Sequence, residues 1–177
     1  MPPTKGKWAQ GIKPRNFAWV IADRLAVCER PGGYGANHRK VRRQEEIIWI
    51  REQAFTKVLT VTSAPHNLHN YDEMDVAWLH RPFPTTEPVD RYLAALLPEL
   101  RTLLGSGEKV LVHGDELGDK VQGIMAAFLR WMGMVPDDPG SVTVIERLLS
   151  RQLGPQGREL VAMASSIPGA TPVADPG

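Results

Sequence analysis

Apolar positions along the 177-residue chain fall into two rhythms: short β-branched runs, and longer stretches in which they recur every three or four residues. Alternation of these rhythms predicts an α/β domain. Residues 17–21 and 25–28 read as strands separated by Asp23 and Arg24, a hairpin ended by Pro31, Gly32, Gly33, Tyr34 and Gly35. Residues 38–54 read as a helix, with Val41, Glu45, Ile48 and Phe55 at helical spacing, Ile47 and Trp49 broadening the face, and Arg42 four residues before Glu46. Residues 58–62 form a compact β-branched strand, residues 67–74 a short helix, and residues 76–79 the next strand, closed by Arg81, Pro82, Phe83 and Pro84.

Thr86 is a fitting N-cap with Glu87 and Pro88 in the first turn, and Val89, Tyr92, Leu93, Leu96, Leu97, Leu100, Leu103 and Leu104 trace an apolar helix face ending at Gly105. Pro98 is expected to kink that helix. Residues 109–112 then read as a buried strand, followed by a Gly-containing loop and a helix over residues 119–132 that Gly133 stops. Two more helices follow, at residues 138–150 and 156–164, each introduced by a Pro. Strands alternating with helical crossovers imply a mostly parallel central sheet covered by helices on both faces. Ligands of such sheets sit beyond the carboxyl ends of the strands.

Residues 16–164 are expected to form a single domain. Residues 1–15, with Lys5, Lys7, Lys13 and Arg15 among prolines and glycines, read as a loose basic arm, and residues 165–177 as a disordered Pro/Ala/Gly tail. Trp8 in the arm is a partner anchor or packs back on the domain. The 21 basic and 20 acidic side chains nearly cancel, so net charge recruits neither nucleic acid nor an anionic membrane. A lone Cys28 makes no internal disulfide, residues 1–15 lack an apolar signal core, and no run approaches a membrane span. The expectation is a cytoplasmic protein with no cofactor, no bound metal and another protein as its partner.

The strand-loop-helix unit over residues 109–123 has the layout of a phosphate cradle. Its residues, together with residues 16–26, the Pro-containing loop after Leu79, the helix containing Asp90, Arg91 and Tyr92, and the strand Val110, Leu111, Val112, His113, resemble the atypical dual-specificity phosphatases, in matching order. The resemblance implies an α/β fold of the protein tyrosine phosphatase type, with the loop after His113 in the place of the phosphate-binding loop.

That family's catalysis needs three groups. The first is a cysteine thiolate directly after the strand histidine, and Gly114 stands there. Cys28 reads as a small buried hydrophobe. The second is an arginine that grips phosphate with two prongs; counting from His113 gives Lys120, aligning on Gly123 gives Val121, and neither carries a guanidinium. The third is an aspartic acid on the loop after residues 76–79, but residues 80–88 contain none; Asp75 lies at the wrong end of that strand, and Glu87 reads as a first-turn acid. The degenerate loop is thus His113, Gly114, Asp115, Glu116, Leu117, Gly118, Asp119 and Lys120, with a local charge of about minus two that disfavours phosphate. Asp119 or Asp115 is expected to cap the following helix and sit where a phosphate would.

Other constellations carry less. His113, Asp115, Glu116 and Asp119 match no familiar metal-ligand spacing, and Asp115 as a nucleophile would need a metal and a basic partner. His66, His69 and His80 read as surface or capping residues, and Trp19, Trp49, Trp78 and Trp131 as core. Arg39, Lys40, Arg42 and Arg43 form the densest basic run, a solvated face or a partner site, with no interleaved aromatics to suggest nucleic acid. The leading expectation is a catalytically inactive phosphatase-like protein, a pseudophosphatase that binds or regulates another protein. The alternatives are a divergent hydrolase using the acidic loop, with or without a metal, and a small-molecule-binding module.

Overall fold

The computed structural model describes residues 10–33, 40–65 and 67–171. A five-stranded sheet runs in the order β1-β2-β5-β3-β4. β1 (Ala18–Ile21) and β2 (Leu25–Val27) form the antiparallel hairpin, turned at Asp23 with φ of 60°. β2, β5 (Val110–His113), β3 (Lys57–Thr60) and β4 (Trp78–His80) are parallel to one another. β5 is central and buried throughout, which is why its sequence is an unbroken apolar run ending in a histidine.

Successive residues of the central strands feed opposite faces. Leu25, Val27, Leu59, Val110 and Val112 join a core with α3 (Val89–Gly105), α4 (Asp119–Trp131), α5 (Asp138–Leu149) and α6 (Pro155–Ala164). Ala26, Val58 and Leu111 turn the other way, to a smaller core with α1 (Lys40–Glu52) and α2 (His69–Glu73). α4 lies deep in the larger layer, with every residue from Val121 to Leu129 buried. It meets α6 at two glycines: a Cβ on Gly123 would stand 2.6 Å from the Gly157 Cα, so neither position tolerates a side chain.

Several boundaries depart from expectation for local reasons. α3 starts at Val89, not at a Thr86 cap: Pro88 is extended, and Thr86 and Glu87 lie exposed ahead of the helix. A proline disfavours helical geometry in the residue before it, so Glu87 cannot sit in the first turn. The helix then continues through Pro98, flanked by buried Leu96, Leu97 and Leu100. The strands of residues 76–79 and 109–112 each begin later than expected and extend through His80 and His113.

The ends pack further than their composition suggests. Ile12 N–H donates to the Glu45 carbonyl, Pro14 is buried, and the Arg15 carbonyl accepts from Glu29 N–H. Past α6, Ile167 is buried, Trp131 donates its indole N–H to the Ile167 carbonyl, and Arg101 stacks 4.2 Å from the Trp131 ring while donating to the Gly169 carbonyl. Covering Trp131 is what orders residues 165–171. Trp19, Trp49 and Trp78 are half-buried, not core; the first two cluster with Phe17 and Phe55 beneath the Lys109 ammonium. Trp8 and the expected start of the first helix at His38 lie outside the described residues.

Candidate functional site

Loops following the carboxyl ends of β2, β3, β4 and β5 meet at one edge of the parallel sheet, and the loop after β5 forms the floor. His113 anchors its start. The ring is buried, with Nδ1 3.0 Å from the Gly114 carbonyl and Nε2 2.7 Å from the Tyr71 hydroxyl. A carbonyl can only accept, so Nδ1 carries the proton and Nε2 accepts from Tyr71. Burial is the main force lowering the His113 pKa to about 4, which keeps the ring neutral at physiological pH.

Gly114 follows, buried, directly after the strand histidine. A Cβ placed there would lie 3.0 Å from Val121 Cγ2, 3.4 Å from the Glu116 carbonyl oxygen and 3.5 Å from Val61 Cγ2. The first is tighter than an ordinary contact and asks the Val121 methyl to give by a few tenths of an ångström, while the other two are ordinary van der Waals distances. Leu117 turns into the core, 2% exposed, and its carbonyl accepts from the Arg151 guanidinium. Gly118 is the extended N-cap of α4 and supplies no capping side chain.

The expected cap on α4 is absent. Asp119 is committed elsewhere: its carboxylate accepts from Gly154 N–H at 2.6 Å and Gly157 N–H at 2.8 Å, capping α6. These are the first orphan amides of α6, and two glycines leave room for the carboxylate, since a Cβ on Gly157 would fall 2.6 Å from Asp119 Oδ1. Asp115 does not cap α4 either. It faces Arg30 Nη1 at 3.5 Å, with Ser63 N and Oγ at 3.5 and 3.4 Å. Glu116 is exposed, and Lys120 holds its ammonium 5.0 Å from the Phe83 ring.

Above the loop lies a pocket of about 240 Å³ with apolar walls from Val61, Phe83 and Val121 and a rim carrying Asp115, Glu116 and Lys120. The β4 loop contributes Phe83 and Thr85 to it and no acid. Arg81 on that loop makes a two-pronged pair with Glu99, at 2.8 and 2.9 Å, and so is turned to α3. Asp75 precedes β4 and is exposed there. Cys28 is fully buried, and burial, followed by the charges of Glu46 and Glu29, pushes its thiol well above its ordinary pKa; no thiolate forms.

The basic run is not a single surface. Lys40 is exposed, Arg42 pairs with Glu46 at 2.9 Å, and Arg43, 8% exposed, donates to Asn70 Oδ1 at 2.7 Å; Arg39 lies outside the described residues. His69 stands exposed 4.0 Å from Glu73, His80 donates to the Thr62 carbonyl, and His66 lies outside the described residues. Among the described residues, no group of three or more His, Cys, Asp or Glu is placed to hold a metal ion. No helix among them is long and apolar enough to cross a membrane.

Sequence reasoning missed Arg30, Ser63, Tyr71 and Arg151, which reach the loop from distant segments. One signal was present: Gly154-Pro155-Gln156-Gly157 is a helix start with no side-chain cap of its own, so its amides need an acceptor from elsewhere.

No family model matches the chain, and no curated protein matches it in sequence. Solved structures do. Kinase-associated phosphatase, in a form with its catalytic cysteine replaced by serine, superposes with a TM-score of 0.73 at 16% identity, over 90% of this chain and 99% of that one. Tk-PTP in its active form gives a TM-score of 0.67 at 17% identity, over 85% and 97%. The human tyrosine phosphatase-like serine/threonine/tyrosine-interacting protein gives 0.61 at 11% identity, over 85% and 93%. The chain has the fold of the protein tyrosine and dual-specificity phosphatases, as the resemblance in its sequence implied.

Proposed function

We propose that this is a pseudophosphatase: a dual-specificity-phosphatase-like protein that turns over no phosphoester and acts as a protein-binding or regulatory module in the cytoplasm. The observation that carries the reading is Gly114. The residue where the attacking thiolate would sit has no side chain, and a Cβ there would stand 3.0 Å from Val121 Cγ2, tighter than an ordinary contact. Two further losses support it. No guanidinium projects from the loop after β5, and the one acid of the β4 loop, Glu87, is exposed and does not line the pocket where it would protonate a leaving oxygen.

The acidic-loop hydrolase reading loses ground on geometry. Asp119 is held by two α6 amides and Asp115 stands against Arg30, so neither is free to activate water or to share a metal. A partner role is supported by the name of one structural neighbour, a phosphatase-like interacting protein, and by a pocket of mixed apolar and acidic lining. The buried neutral thiol of Cys28 agrees with a reducing compartment without requiring one. A phosphatase assay on the purified chain with phenyl phosphate tests the core of the reading. The expected outcome is release of inorganic phosphate at the uncatalysed rate, and release above it overturns the reading.

A further inference from the structure

Past α6 a short turn of the chain is held by side chains of α3 and α4, with no strand or helix to pair it. Pro168 is followed by Gly169 at φ of 87°, the residue pair that a type II turn favours. The Ile167 carbonyl accepts from the Trp131 indole N–H at 3.3 Å, and the Gly169 carbonyl accepts from Arg101 Nη1 at 2.8 Å. Thr171 N–H then donates to the Trp131 carbonyl at 2.8 Å. Ile167 is buried in the larger core and Ala170 packs against it, while the Arg101 guanidinium lies 4.2 Å over the Trp131 ring. A Cβ at position 169 would stand 3.2 Å from Trp131 Cζ2, in a backbone conformation that residues with a Cβ rarely adopt. A Cβ on Gly133, opposite, would stand 3.1 Å from the Thr171 carbonyl oxygen.

These contacts read a peptide by its chemistry: an aliphatic side chain, a carbonyl before Pro and another on Gly, and a small residue after. Four consecutive residues satisfy them. Ser165, Ser166, Pro168, Gly169 and Thr171 are exposed, so the segment is held by a few hydrogen bonds and the burial of Ile167 and Ala170. Those gains stand against the entropy of ordering the whole segment, which makes it exchangeable while the groove stays in place. We propose that Arg101, Trp131 and Gly133 line a docking groove for an aliphatic-Pro-Gly-small turn of a partner protein, and that residues 167–170 fill it in the free chain. The partner's turn competes with a copy of its own chemistry, tethered at an effective concentration on the order of millimolar. α4 starts at the pocket with Asp119 and ends at the groove with Trp131, roughly 18 Å apart by helical rise, so the groove is a second site. This inference rests on the protein-binding reading above and names the surface and the partner's chemistry.

A dye-labelled peptide of residues 165–171, followed by fluorescence polarisation against the full-length chain, tests it. Wild type is expected to bind the peptide weakly but saturably. Gly169→Val, which unseats the chain's own turn and leaves the groove intact, is expected to bind it at least about tenfold tighter, and Arg101→Gln added to that variant abolishes the gain. The same peptide with valine in place of its glycine is expected to bind neither chain. Should Gly169→Val fail to fold, Thr171→Pro removes only the amide that donates to the Trp131 carbonyl and is expected to gain at least about threefold. No saturable binding by wild type, no gain in the folded variant, a gain that survives Arg101→Gln, or equal binding of the valine peptide overturns the proposal. Release of phosphate from phenyl phosphate by wild type overturns the non-catalytic reading instead, so the two failures are told apart by peptide binding and by product.

Discussion

Asp115 and Asp119 stand four residues apart on one loop, yet only Asp119 is built into the frame of the fold. Asp119 binds two amides of α6 at 2.6 and 2.8 Å, beside Leu117 in the core and the Arg151 contact to the Leu117 carbonyl. Asp115 faces the pocket with contacts of 3.4 to 3.5 Å, next to exposed Glu116 and a Lys120 resting on Phe83. The loop thus divides into a frame (His113, Leu117, Asp119) and a face (Asp115, Glu116, Lys120). The comparison teaches that negative charge here has two unrelated causes, one structural and one at the pocket. Variants of the frame should change stability, and variants of the face should change what the pocket admits.

The largest effect expected of the frame is a pH dependence from His113. Its folded pKa is lowered from 6.5 to about 4 by burial, whereas the unfolded chain titrates near 6.5. Below that pH the unfolded state takes up a proton that the folded state refuses. Stability from this group is therefore full above about pH 6.5 and falls as pH drops toward 4, by roughly 3 kcal/mol. Urea unfolding at intervals between pH 7 and pH 4 measures the slope, and His113→Gln should flatten it. An unchanged slope in that variant would remove His113 from the frame.

Next in size is Asp119→Ala. It strips α6 of two charge-assisted acceptors, removes one carboxylate from the pocket lining, and should cost about 2 kcal/mol of unfolding free energy. Asp119→Asn keeps an acceptor for one amide and should cost about half as much. A loss below about 0.5 kcal/mol for Asp119→Ala would place Asp119 on the face with Asp115.

The sheet and its order of helices were legible because the two apolar periods differ sharply: an unbroken run at β5, and a spacing of three and four along α3. That Gly114 stands directly after the strand histidine was equally legible, since the identity of a residue at that position needs no coordinates. What the Asp119 carboxylate does was not. Capping of its own helix is the short-range solution, and only the packing of Gly123 on Gly157 brings the α6 amides within its reach. Arg30 and Ser63 were illegible for the same reason, lying 85 and 52 residues from Asp115. The order in residues 165–171 was hidden because their composition signals a tail, while the cause of their order is the flank of Trp131.

On the face, Asp115→Ala should cost under about 1 kcal/mol, because its ion pair with Arg30 is long and partly exposed. Chemical denaturation of this variant beside Asp119→Ala gives the sharpest form of the comparison: two alanines on one loop, with the second costing at least twice the first. Equal losses would dissolve the division between frame and face.

The smallest effect, none at all, is expected for Gly114→Cys combined with Lys120→Arg. The new Cβ would stand 3.0 Å from Val121 Cγ2, so that methyl must give by a few tenths of an ångström to admit the side chain. Asp115 and Glu116 line the same pocket and disfavour a thiolate by like charge, and no acid of the β4 loop lines it. Position 120 also starts above Phe83 and not beneath a bound phosphate, so a guanidinium there stacks on the ring before it reaches an oxyanion. Phenyl phosphate hydrolysis by the double variant should stay at the uncatalysed rate, even with Val121→Ala added to relieve the contact. Turnover by the double variant would mean that the loop backbone is still a working cradle, so that Gly114 alone, and not the remodelled face, separates this chain from the phosphatases.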